Sequence, residues 1–78
     1  MSWNYRVVKK TGISRCGETW DSFGIHEVYY DEGKDEPRLV TTDSVAVEGD
    51  DVDDLREVYR MMKGAFNQPV LNYEDFNG

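Results

Sequence analysis

The sequence is poor in the residues that fix small folds by covalent or metal staples. Its 78 residues include one cysteine, Cys16, one histidine, His26, and two prolines. A lone cysteine excludes an intrachain disulfide, so the framework is not that of a stapled secreted domain, and a reducing cytoplasm is the expected location. One histidine and one cysteine also fall short of a zinc ligand set. No metal and no cofactor is expected. Long apolar runs are missing as well, and neither a signal peptide nor a membrane span is read in the chain. Basic residues are scarce: nine Lys and Arg stand against sixteen Asp and Glu, a formal charge of −7. A field of that sign repels nucleic acid and anionic lipid. The one basic-leaning segment, Arg6, Lys9, Lys10 and Arg15, is a thin footprint, so neither direct nucleic-acid binding nor membrane binding is expected.

Aromatic residues are what the chain does have, at 13 %, and they argue for a folded chain against disorder. A chain of this length has room for one domain, 1–78, with a single small core. Chains of this size bury only about 60 % of their unfolded surface, so core burial and ordering entropy nearly cancel. Self-association would relieve that shortfall.

Periodicity predicts three strands and a helix. Residues 3–10, WNYRVVKK, alternate, and the face carrying Trp3, Tyr5 and Val7 is expected to look at the core. Residues 11–21 contain two glycines and several polar groups and read as a long hairpin loop. Residues 22–31 form a second strand with Phe23, Ile25, Glu27 and Tyr29 on one side and His26, Val28 and Tyr30 on the other. Both sides are partly apolar, which suits a central strand. After a charged turn with Gly33 and Pro37, residues 38–48 read as a third strand bent near Asp43 and Ser44. From Asp51 the period changes to that of a helix over 52–66, begun by a capping-box-like pair, Asp51 and Asp54. Leu55, Val58, Tyr59, Met62, Ala65 and Phe66 make its apolar stripe, and Gly64 is a candidate early end. Pro69 stops any continuation and leaves a tail, 67–78, with enough apolar groups to dock. The expected fold is α+β: a three-stranded antiparallel meander packed on one C-terminal helix, β-β-β-α, with a short tail.

The candidate chemistry reduces mostly to structure. His26 and Glu27 are neighbours, but adjacent strand residues point to opposite faces and cannot act as a base and its orienter. A His26 and Cys16 pair lacks any third group to complete it. The acidic run from Glu48 to Asp54 does not keep the order of a calcium loop, and helix capping accounts for it. No catalytic residue is assigned. The remaining clue is aromatic surface. One helix covers one sheet face, so either Val28 and Tyr30 or Ile25 and Tyr29 must lie uncovered, and such a face is a candidate protein-protein surface. The residues taken for it are His26, Val28 and Tyr30, with Tyr73 and Phe76 of the tail.

The blocks Trp3-Asn4-Tyr5-Arg6-Val7, Ile25-His26-Glu27-Val28-Tyr29-Tyr30-Asp31, Asp53-Asp54-Leu55-Arg56 and Pro69-Val70-Leu71 resemble those of a group of short, uncharacterised bacterial proteins, a domain of unknown function. That resemblance implies a bacterial, cytosolic, stand-alone domain and assigns no activity. The stretch from Val47 to Val58 is similar, more weakly, to the N-terminal domain of HicB-type antitoxins, although no C-terminal DNA-binding segment follows it here. The expected function is therefore a non-enzymatic protein-protein interaction module with an unknown protein partner or a second copy of itself. The alternative is an acidic inhibitor or antitoxin-like protein that blocks a nucleic-acid-binding partner. A third reading, an enzyme using His26 with Tyr30, ranks last because one strand face supplies no pocket.

Overall fold

A computed structural model describes residues 2–76. The chain is α+β, built from β1 (Ser2–Ile13), β2 (Thr19–Tyr30), β3 (Pro37–Val40), α1 (Val52–Lys63), a 3-10 turn (Gly64–Asn67), β4 (Leu71–Asn72) and a second 3-10 turn (Tyr73–Phe76). The four strands lie in the order β3-β2-β1-β4, with β4 parallel to β1 and the other pairs antiparallel. The sheet is thus mixed and four-stranded, where a three-stranded meander was expected. The extra strand is the tail itself, which runs two residues along the free edge of β1.

The first hairpin is longer than its glycines suggested. Pairing continues through Thr11↔Asp21, Gly12↔Trp20 and Ile13↔Thr19, so only residues 14–18 turn. Gly12 is what permits this: a Cβ there would lie 2.1 Å from the Trp20 ring, which packs flat against the bare backbone. Ser14 closes the turn by accepting the Glu18 N–H on its hydroxyl, and Gly17 takes the positive φ of 85°. Beyond β3 the chain stays on β2 through Thr41 N–H to Glu27 O and Val45 N–H to Ile25 O, while 42–44 loops outward.

Helix α1 starts where local chemistry says it should. Asp51 accepts the Asp54 N–H at 2.7 Å, and the Asp54 carboxylate accepts the Asp50 N–H at 3.0 Å, so two otherwise free donors are satisfied reciprocally. Acidic Asp53 and Asp54 lie in the first turn and basic Arg60 and Lys63 in the last, each complementing the helix dipole. The helix gives way to the 3-10 turn at Gly64, short of residue 66.

Cross-strand register assigns the faces. Asn4, Arg6 and Val8 share one face with Tyr30, Val28 and His26; Trp3, Tyr5, Val7 and Lys9 share the other with Tyr29, Glu27, Ile25 and Phe23. The main core is on the first face, where Val8, Val28 and Tyr30 are buried under Val40, Leu71, Tyr73 and Phe76. The Trp3–Tyr5–Val7 face, expected to be the core, buries only Val7. The reason is the tail: it folds across the opposite face, whereas α1 and its 3-10 turn reach the sheet along β1 and bury little beyond Met62 and Ala65. Thr11 N–H donates to the Glu74 carboxylate at 2.7 Å and fastens the tail past the end of β4. That hydrogen bond, with the Glu74 backbone N–H and the charge of Lys9, holds the Glu74 carboxyl below its ordinary value.

Candidate functional site

The five residues expected to form an open surface are together, but they are not open. His26, Val28 and Tyr30 are buried, and Tyr73 and Phe76 are the half-buried groups that cover that side of the sheet. The expectation is corrected to the tail-covered core. His26, expected to be partly exposed, has its Nδ1 2.9 Å from the Thr41 carbonyl, which fixes that nitrogen as the donor, and its ring lies beside Tyr73. Tyr30 is four residues along the same face, with the fully buried Val28 between, and its hydroxyl is engaged elsewhere.

That engagement is a buried polar network that the sequence did not announce. Arg6, 7 % exposed, donates from one terminal nitrogen to the Tyr30 hydroxyl at 3.0 Å and from the other to the Pro69 carbonyl at 2.8 Å. The Tyr30 hydroxyl in turn donates to Asn4 Oδ1 at 2.9 Å. Among the described residues Arg6 has no carboxylate partner, and its Nε is buried without an acceptor. The network ties β1, β2 and the tail together at one point. It also withdraws Arg6 from the basic-leaning segment, and Lys10 is withdrawn likewise: its ammonium sits 4.4 Å from the Tyr73 ring centre and donates to the Thr42 carbonyl.

The open surface is the other face. Trp3 is 43 % exposed, Phe23 63 % and Leu39 51 %, and they surround half-buried Tyr5, Ile25 and Tyr29. Leu39 joins this face through its register with Tyr29. Trp3 and Tyr5 pack edge to face with ring centres 5.1 Å apart, so the aromatic surface is held in a set geometry. Glu27 sits within it and accepts the Tyr29 hydroxyl at 3.1 Å. That hydrogen bond is the main reason the Tyr29 phenol is raised above its ordinary value, with burial and the Glu27 charge behind it; for Tyr5 burial leads and the Glu27 charge follows.

The apolar stripe of α1 borders the same side. Met61 lies beside Trp3 and Tyr5, and Met62 and Ala65 are buried, yet Val52, Tyr59 and Phe66 are all more than half exposed. Val52 and Tyr59, seven apart on α1, lie in one row flanked by Leu55, and Phe66 follows in the 3-10 turn. The sequence contained this surface in the second of its two face assignments, the one with Ile25 and Tyr29 uncovered. Local periodicity held no signal for choosing between them.

Among the described residues, no three His, Cys, Asp or Glu side chains converge as metal ligands, and no helix is long and apolar enough to cross a membrane. An open cleft of about 520 Å³ runs between β3 and the tail, with the exposed Arg38–Asp31 ion pair on its wall. No protein-family model matches the chain, and no curated protein and no solved structure matches it.

Proposed function

We propose that this protein is a non-enzymatic interaction module of the bacterial cytosol whose working surface is the open sheet face around Trp3, Tyr5, Ile25, Tyr29 and Leu39. The observation that carries the reading is an excess of surface. The chain exposes 6024 Å², whereas a compact monomer of its mass would expose about 4,850 Å². Its radius of gyration, 14.2 Å, exceeds the roughly 11.5 Å of a compact chain of this length. The difference is the kind of area that a standard interface removes from one partner, about 800 Å² or more. The bacterial and cytosolic part of the reading rests on the resemblance of the WNYRV and IHEVYYD blocks. Against an enzyme stand the commitments of His26 to Thr41 and of Tyr30 to Arg6 and Asn4.

Affinity capture from native lysate at low and high salt, with wild-type and Leu39→Glu baits, tests the proposal. A partner, foreign or the untagged native copy of this chain, that survives high salt and is lost with Leu39→Glu is the expected result. A basic partner released by salt and indifferent to Leu39→Glu would instead favour the acidic-inhibitor reading, in which the exposed clusters Asp31 to Glu36 and Glu48 to Asp54 do the binding.

A further inference from the structure

The open sheet face and the exposed row of α1 are two unpartnered surfaces on one chain, and they are complementary in kind. A helix row packs on a sheet face to make the ordinary two-layer core. Within one chain α1 cannot supply this, because α1 and its 3-10 turn lean Met62 and Ala65 on β1 and leave Val52, Tyr59 and Phe66 to solvent. We propose that the occupant of the open face is a second copy of this chain, each copy seating Val52 and Tyr59 of α1, with Phe66 of the following 3-10 turn, on the other's Phe23–Tyr29–Leu39 face about a twofold axis. This deepens the interaction-module reading and rests on it.

Three observations favour a second copy over a foreign protein. The first is reciprocity: a twofold arrangement in which surface i meets surface j and j meets i covers both exposed surfaces at once, whereas a foreign partner on the sheet face leaves the helix row bare. The second is area. Two separate copies expose twice 6024 Å², and a pair with the surface of one compact globule of twice the mass would bury about 4,000 Å² in all, within the range of obligate homodimers. The third is charge. Glu27 lies within the sheet face, and Lys63 flanks the exposed helix row with Arg56, which pairs with Asp53 on its own helix, so the seating brings a carboxylate to a helix flank that carries basic groups. The core of each copy points the same way: among the described residues only Val7, Val8, Val28, Tyr30, Met62 and Ala65 are buried apolar ones. That is a small core for a chain expected to fold alone.

Sedimentation velocity from low to high micromolar concentration tests the assembly, with binding of an apolar fluorescent dye as a second readout. Wild type is expected to dimerise and to stay dimeric as salt rises, because the contact is mainly apolar and the repulsion between two copies of net charge −7 is screened along with the Glu27 attraction. Phe23→Asp and Tyr59→Asp change exposed side chains; each is expected to weaken dimerisation about tenfold or more with an unchanged circular dichroism spectrum. Glu27→Lys is expected to weaken it too, and Glu27→Lys combined with Arg56→Glu and Lys63→Glu to restore it. A dimer broken by Tyr59→Asp but not by Phe23→Asp would mean helix-to-helix pairing and overturn the seating. A monomer at every concentration that binds dye, and loses it with Phe23→Asp, would overturn the second copy while leaving the interaction surface standing. A monomer that binds no dye would remove both.

Discussion

Replacing Tyr30 by phenylalanine removes one oxygen that serves two partners. The hydroxyl accepts from Arg6 and donates to Asn4. Asn4 is exposed and can turn to water, so that half of the loss is small. Arg6 is 7 % exposed and already has an unpartnered Nε. Its charge would keep the Pro69 carbonyl as its one remaining hydrogen-bond acceptor. A hydrogen bond to a charged group contributes about 1.5–3 kcal/mol, and that is the expected cost of Tyr30→Phe. Against a total stability of about 4–12 kcal/mol for a chain of this length, the loss is large. It corresponds to a fall in Tm on the order of 10 °C. Urea denaturation at one fixed protein concentration measures it, since association would otherwise shift the midpoint. The double-mutant cycle with Arg6→Met isolates the mechanism: the cost of Tyr30→Phe should shrink by most of its value once the guanidinium is gone. A single-mutant effect within about 0.5 kcal/mol of zero, or additivity of the two substitutions to that margin, would refute the account of Arg6 as a buried cation held by Tyr30.

Other perturbations probe separate parts of the structure. Val28→Ala, at a fully buried position, should cost about 2–3 kcal/mol by the same denaturation assay, against less than about 0.5 for Val47→Ala, which is exposed. Gly49→Ala would bring a Cβ within 2.4 Å of the Leu55 backbone nitrogen, where backbone must yield; it should cost about 1–3 kcal/mol with loss of helical circular dichroism. The Glu74 carboxyl is held below its ordinary 4.5, so its clamp on Thr11 is present above that pH and lost as pH falls through the lowered value. The protection factor of the Thr11 N–H, its exchange rate taken relative to the intrinsic rate at each pH, should fall over that acidic window, and Glu74→Gln should flatten the dependence. Tyr5 and Tyr29 are raised above 10.0, so whatever stability they contribute is present below that pH and declines above it. Spectrophotometric titration should show both phenols ionising late, and Glu27→Gln should bring Tyr29 down further than Tyr5.

The features legible in the sequence are those settled within a few residues. The start of α1 is one, because Asp51 and Asp54 cap it through atoms three and four positions apart. The change of period after Asp51 is another. The choice of core face was not legible, because β2 offers apolar residues on both sides and the decision falls to Leu71, Tyr73 and Phe76, more than forty positions away. Strand β4 escaped for the same reason: two residues after Pro69 have no period to read, and only the edge of β1 makes them a strand. Residues 11–21 misled in the opposite sense. Gly12 looked like a breaker, but it is the bare position on which Trp20 rests.

The clamp between Glu74 and Thr11 also bears on how the sheet meets other sheets. Strand β4 pairs with β1 only at Val8 and Lys9, so the outer edge of β1 is covered for a short stretch. At Thr11 a carboxylate occupies the place where the carbonyl of an incoming strand would dock. A charged side chain there satisfies the edge amide and repels further strands, the usual protection against edge-to-edge growth. Protonation removes the charge and loosens the contact together. Acid that takes the pH through the lowered Glu74 value should therefore unmask a template for strand addition, and aggregates formed there should grow from the outer edge of β1.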